Sequence, residues 1–147
     1  MIEWSIPVAF HFSVKLGISA VSFSEVSGLE TSINTEEVHS GGDNSTIFYL
    51  PKTVSHADLV LKRAVIAQAE PFFLWCKSNI ESTRTDSLVD PQPIEVSLLN
   101  SLNLPLATWN FEGAYPFKWA FSSLDASKSE LIIETISLKY RSVKRII

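Results

Sequence analysis

The side chains able to do chemistry are sparse in this 147-residue sequence, and their spacing argues against most of what they could do. His11, His39 and His56 stand singly, none with a second His or Cys at the short interval that zinc sites use. They read as surface or edge-strand histidines, not as ligands. Cys76, the single cysteine, lies beside Trp75 on an apolar stripe, where a thiol is a packing group and not a nucleophile. Asp43 and the neighbouring serines assemble no Ser-His-Asp arrangement. Gly41-Gly42 lacks the lysine and the following helix of a phosphate-binding loop. Glu36 and Glu37 are consecutive, so on a strand they point to opposite faces and cannot share one acid–base task. The aromatic-dense "EGAYPFKWAF" holds one lysine, too little charge for a nucleic-acid stacking platform, and is predicted to be a packed turn. No catalytic, cofactor-binding or metal-binding residue is therefore assigned, and no cofactor is expected.

The elements that would position these residues follow a period of two. In "VAFHFSVKL" Val8, Phe10, Phe12, Val14 and Leu16 share one face, and Ala9, His11, Ser13 and Lys15 the other. After a turn at Gly17, Ile18 to Val26 is predicted to return as a strand with Val21 and Phe23 inward. Gly28 opens a long arm, "GLETSINTEEVHSGGDNSTIFYLP", whose alternation breaks at Val38 and which turns at Gly41-Gly42, with Thr46 to Pro51 returning antiparallel. "ADLVLKRAV" places Leu59, Leu61 and Val65 on one side of a further strand. The period then lengthens. Phe72, Phe73, Trp75, Cys76 and Ile80 fit one face of a helix that starts at Glu70-Pro71. Thr83 to Pro93 reads as a polar loop. Three strand patterns close the chain, carried by Ile94/Val96/Leu98, by Ala107/Trp109/Phe111, and by Ile132/Ile136/Leu138/Tyr140 beside Glu134. Seven or eight strands and one helix predict a mainly β domain, a sandwich or barrel with a packed helix.

Composition bounds the class. Hydrophobic content of 46% with 19% charged residues is that of a globular chain. A net charge of −4 gives no global reason to bind nucleic acid. One cysteine excludes an intrachain disulfide framework and suits a reducing compartment. The opening Met1-Ile2-Glu3-Trp4 does not read as a secretion signal, and no apolar run approaches the ~18 residues of a spanning helix. The expectation is one soluble, cytoplasmic domain. Within it charge is asymmetric. Between Lys15 and Lys52 there is no Lys or Arg, while Glu25, Glu30, Glu36, Glu37 and Asp43 fall there; after Glu134 come Lys139, Arg141, Lys144 and Arg145 with no acid. Two solvated surfaces would account for this. So would a head-to-tail contact of one copy's acidic arm on the next copy's basic end, the arm's acids lacking a cation nearby in the sequence.

The segments "FSEVSGLE", the glutamates leading to "GGDN", "LVLKRA", the "LWC" helix, "WNFEGAYPFKW" and "SELIIETISLKY" occur in that order. Together, over Ile6 to Tyr140, they resemble the tail tube proteins of contractile phage tails, and most closely the inner-tube proteins of extracellular contractile injection systems. The resemblance implies two packed antiparallel sheets forming a barrel-like tail-tube fold with one flanking α-helix, in a single domain over 1–147. It implies six-membered rings, made by pairing sheets edge to edge, that stack into a hollow conduit. The implied partners are further rings, a sheath, baseplate or spike proteins, and effector cargo in the lumen; neither nucleic acid nor membrane insertion is required. The particle would be assembled in the bacterial cytoplasm and then act extracellularly. A protruding hairpin at about 36–51 would contact neighbouring subunits, which makes Glu36, Glu37, Gly41, Gly42, Asp43 and Asn44 assembly residues. Lys139, Arg141, Lys144 and Arg145 are the matching basic end. Family members commonly carry glycine after "LKR"; Ala64 departs from that. The opening "IPVAFHFSVKLG", the helix and the "KYR" ending point to the tube-initiator type over the repeated subunit. The alternative of a different class is a monomeric β-barrel module that binds a ligand or peptide in its apolar interior; an enzyme is the third.

Overall fold

Alternation at Val14, Val96 and Phe111 and at Leu61 and Ile136 becomes the inward face of one antiparallel sheet system. The structure is a computed structural model, and it describes residues 10–39, 41–42, 45–65, 70–81, 90–122, 127 and 132–147. The chain forms two compact units, one of Met1–Ser27 with Asp58–Ile147 and one of Gly28–Ala57.

The larger unit contains β1 (His11–Leu16), β2 (Ser19–Phe23), β3 (Glu25–Ser27), β6 (Leu59–Ala64), α1 (Pro71–Ile80), β7 (Gln92–Leu99), β8 (Pro105–Phe121), β9 (Ile133–Lys139) and β10 (Ser142–Arg145). β4 (Thr31–His39) and β5 (Ile47–His56) make up the smaller one. Strand order in the larger unit is β2-β1-β7-β8-β9-β6-β3, with β10 added to β8. Its two ends are consecutive in the chain, separated by Ser24, whose N–H donates to the Lys62 carbonyl at 2.9 Å. The sheet therefore nearly returns on itself without closing: β3 pairs with β6, whereas β2 has a ladder only to β1. The expected mainly β, barrel-like fold with one flanking helix is what forms.

β8 joins the two halves. Pro105 to Ala114 pairs with β7, and Tyr115 to Phe121 with β9. The "EGAYPFKWAF" segment is thus continuous strand, not the packed turn expected from its glycine and proline. Gly113 has φ +64°, a left-handed conformation that bends the strand where it changes partner, and the bulge near Pro116 takes up the proline without a ladder bond. A Cβ at Gly113 would lie 3.3 Å from that of Arg141. Ala64 is regular strand opposite Ile133.

The core is as the inward alternation requires, with Val14, Leu59, Leu61, Val96, Ile136 and Leu138 fully buried. At ~25 cal/mol per Å² such burial is the main favourable term in folding. Val65 and Ile132, placed inward from the sequence, are exposed instead; each lies one residue outside its strand. The helix buries Phe72, Trp75 and Cys76. Phe72 meets Phe23 edge-on at 5.4 Å, and Phe73 meets Trp119 at 5.3 Å. Its far end is tied to the start of β7: Trp75 Nε1–H donates to the Asp90 carbonyl, and the Asp90 N–H to Asn79 Oδ1, each at 2.8 Å.

Candidate assembly surfaces

Every residue of β4, and every residue of β5 except His56, is exposed. β4 and β5 pair from Thr31↔His56 to His39↔Ile47, with a bulge after Ile33 where Asn34 donates to Thr53 at 2.9 Å. Gly42, at φ +87°, adopts the left-handed conformation that the Gly41-Gly42 turn called for. Asp43 and Asn44 lie outside the described residues. Ile33, Val38, Phe48, Tyr49, Leu50 and Val54 are all exposed. A two-stranded ribbon is marginal alone, and this much exposed apolar surface makes the hairpin a candidate interaction face.

Its acids are less isolated than the sequence implied. Lys52 lies 3.5 Å from Glu36, and His39 lies 3.9 Å from Glu37. The expectation that the arm's acids lack a nearby cation is corrected by strand pairing, which brings Lys52 across from the arm's outward strand. The basic end changes in the same way. Lys139 pairs with Asp58 at 2.8 Å and sits over the Phe117 ring. Arg141 reaches Glu112 at 3.5 Å. Arg145 donates to the Ile147 carbonyl and sits over Trp109. Among the described residues, Lys144 and Arg145 alone of these four have no carboxylate partner.

A buried charge cluster was not anticipated. Arg63, 4% exposed, donates from Nε to Glu134 at 3.0 Å and pairs through a terminal nitrogen with Glu70. Trp119 Nε1–H donates to the other Glu134 oxygen at 2.7 Å, and the guanidinium lies 4.9 Å from the Phe23 ring centroid. Glu70 precedes α1 but makes no capping bond; its carboxylate is spent on Arg63. The signal was present in the sequence: Arg63 is in step with Leu59 and Leu61, and Glu134 with Ile136 and Leu138, so both charges stand at inward positions.

His11, His39 and His56 are separate, and no group of His, Cys, Asp and Glu among the described residues could hold a metal ion. Cys76 is buried, and burial together with the nearby Glu134 carboxylate pushes its thiol from 9.0 up to about 12. The inert-thiol reading of the sequence agrees with this.

Residues 8–144 match the family of the T4-like virus tail tube protein gp19. The chain belongs to that family. A sequence search against individually curated proteins finds no match. Among solved structures, this tail tube protein resembles a chain in the sheath/tube terminator of an extracellular contractile injection system (PVC, extended state), with 27% identity over 100% of both chains and a TM-score of 0.80. It also resembles a chain in the anti-feeding prophage cap, with 25% identity over 99% of this chain and 93% of that one, TM-score 0.79. A third is in the anti-feeding prophage baseplate, with 26% identity over 99% and 97%, TM-score 0.76. Hcp1 from Flavobacterium johnsoniae shares the fold at 14% identity, over 92% of this chain and 94% of that one, with a TM-score of 0.53.

Proposed function

We propose that this tail tube family member is a non-enzymatic structural subunit of the inner tube of a phage-tail-like contractile injection system. Six copies form a ring, rings stack into a hollow conduit for effector cargo, and the tube is enclosed by a sheath and seated on baseplate or spike proteins. Assembly takes place in the bacterial cytoplasm, and the finished particle acts outside the cell. The observation that carries the reading is full-length similarity, at 25–27% identity, to chains of two such particles. Both units act as one tail-tube domain. The 36–51 segment, with Glu36, Glu37, Gly41, Gly42, Asp43 and Asn44, contacts neighbouring copies, and its exposed Phe48 and Leu50 supply the apolar area such a contact needs. Of the basic end, Lys139 and Arg141 are held by Asp58 and Glu112, which leaves Lys144 and Arg145 as its contact residues. The position proposed is the tube-initiator ring, next to the baseplate.

Deleting the gene in a bacterium that makes such particles should yield sheaths without a tube. Tube-filled particles in the deletion strain would contradict the reading. Subunit counting by mass spectrometry tests the position: an initiator is present as one ring per particle, a repeated subunit in the same number of rings as the sheath.

A further inference from the structure

On the inward face of the β6–β9 pair, Leu59 stands opposite Leu138, Leu61 opposite Ile136 and Arg63 opposite Glu134. Parity sends these residues inward but does not say which meets which, because a slip of two residues leaves every one of them inward. Leucine and isoleucine are close in volume, so the apolar pairs would survive such a slip at little cost. No tight turn sets the register either. Arg63 and Glu134 are 71 positions apart, and β9 is joined to β8 through the whole segment 122–132. The outward pairs, Val60 with Ser137 and Lys62 with Thr135, carry no charge complementarity. The charged pair is what tells the registers apart. Slipped one way, Arg63 would face Ile136 and Glu134 would face Val65. Slipped the other way, Arg63 would face Ile132 and Glu134 would face Leu61. Either slip separates a guanidinium and a carboxylate that are now 4% and 3% exposed. The same carboxylate accepts from Trp119 of β8 at 2.7 Å, and Arg63 also holds Glu70 at the start of α1. Three strands and the helix are thus referred to one point.

We propose that the Arg63–Glu134 pair is a register lock, which excludes the two-residue slips of β6 on β9 that apolar packing alone would admit. A buried ion pair roughly breaks even in stability against neutral residues of similar volume, so its distinctive effect is the penalty on arrangements that separate it. The consequences of a slip reach beyond the two strands. β3 is laddered to β6 from Glu25↔Lys62 to Ser27↔Val60, so it would move with β6. Asp58 would be carried about 7 Å along β9, away from Lys139, its present partner. The lock is a property of the single chain and stands apart from what the chain assembles into.

The test traps the register with disulfides on the outward face. Lys62→Cys with Thr135→Cys reports the observed register, and Lys62→Cys with Ser137→Cys or with Ile133→Cys reports the two slips. Diagonal neighbours on a sheet lie about 7–8 Å apart, beyond the reach of a disulfide, so each pair closes in one register only. The exposed pair of Lys62 with Glu25 is lost in all three and cancels. Each pair is placed in the otherwise unaltered full chain and in Arg63→Met/Glu70→Gln/Glu134→Gln. The chains are refolded from urea in a glutathione redox buffer, and bridges are assigned by peptide mass mapping. Buried Cys76 is left in place, with single-cysteine variants as its background control. With the charges present, the observed register should exceed either slip by about 100-fold or more; with them neutralised, a slipped bridge should come within about tenfold. A neutral variant that unfolds cooperatively and still closes only the Lys62→Cys/Thr135→Cys bridge would overturn the lock and assign register to apolar packing. Slipped bridges of equal yield in the charged chain would also overturn it. If the neutral variant does not fold, Arg63→Leu/Glu70→Gln/Glu134→Leu takes its place under the same criteria. Failure of both to fold would overturn the lock in favour of a purely stabilising role.

Discussion

Replacing Arg63 with methionine should be among the most damaging single changes in the larger unit. The side chain is 4% exposed and, among the described residues, is the one cation bonded to Glu134, itself 3% exposed. Methionine keeps much of the volume against Phe23 and Phe72 but removes the Nε bond at 3.0 Å, the Glu70 pair and the guanidinium over the Phe23 ring. Glu134 would keep only the Trp119 hydrogen bond. Breaking a buried pair by removing one partner costs about 3–5 kcal/mol, because a charge is left uncompensated. At about 2–4 °C per kcal/mol for a chain of this length, the melting temperature should fall by roughly 6–20 °C. The assay is urea unfolding followed by tryptophan fluorescence, with Trp75 and Trp119 as the probes nearest the cluster. The informative companion is Arg63→Met with Glu70→Gln and Glu134→Gln, which removes every charge at once and should recover most of the loss, to within about 2 kcal/mol of the parent. Arg63→Met within about 1 kcal/mol of the parent, or a triple variant no better than the single one, would refute the charge-compensation argument.

Three further outcomes follow from the same geometry. Gly113→Ala forces a left-handed φ on an L-residue and brings its Cβ to 3.3 Å from that of Arg141, so unfolding should be easier by about 1–2 kcal/mol in chemical denaturation. Cys76 should resist a thiol reagent in the native chain at about pH 8, where roughly one thiol in ten thousand is ionised, and react once unfolded; because its native value of about 12 lies above the unfolded 9.0, this site's contribution is complete below pH 9 and is lost as pH rises toward 12, which a pH series of melting curves compared with Cys76→Ala would detect. Reversing Glu36 and Glu37 to lysine should weaken ring stacking in negative stain while changing chain stability by less than about 1 kcal/mol, since both side chains are exposed; a collapsed melting temperature with stacking unchanged would make the hairpin internal scaffold instead.

Period-two alternation was enough to read most of the strands and the inward residues, because a residue's face in a strand depends only on its parity. Val14, Leu61, Val96, Ile136 and Leu138 went where parity sent them. The helix was legible for the same local reason, through Phe72, Trp75 and Cys76. What escaped depends on pairing between distant segments. Lys52 neutralises Glu36 only once β5 lies against β4, and Asp58 reaches Lys139 only across the β6–β9 pair. Arg63 and Glu134 are 71 positions apart, so neither announces the other, although each occupied an inward position that should have raised the question. "EGAYPFKWAF" was misread because glycine and proline are turn residues by propensity, whereas here they bend and bulge one strand shared between two sheet halves. Of the hairpin, the reversal at Gly41-Gly42 was legible, but its charge pairing was not.

The central claim, that this chain is a tube subunit, is tested most directly by the state of the purified protein. Light scattering across a concentration series, with negative-stain images of the same samples, should show rings and short stacks at the upper concentrations. A 16.4 kDa monomer at every concentration, with no rings in the images, would contradict the account.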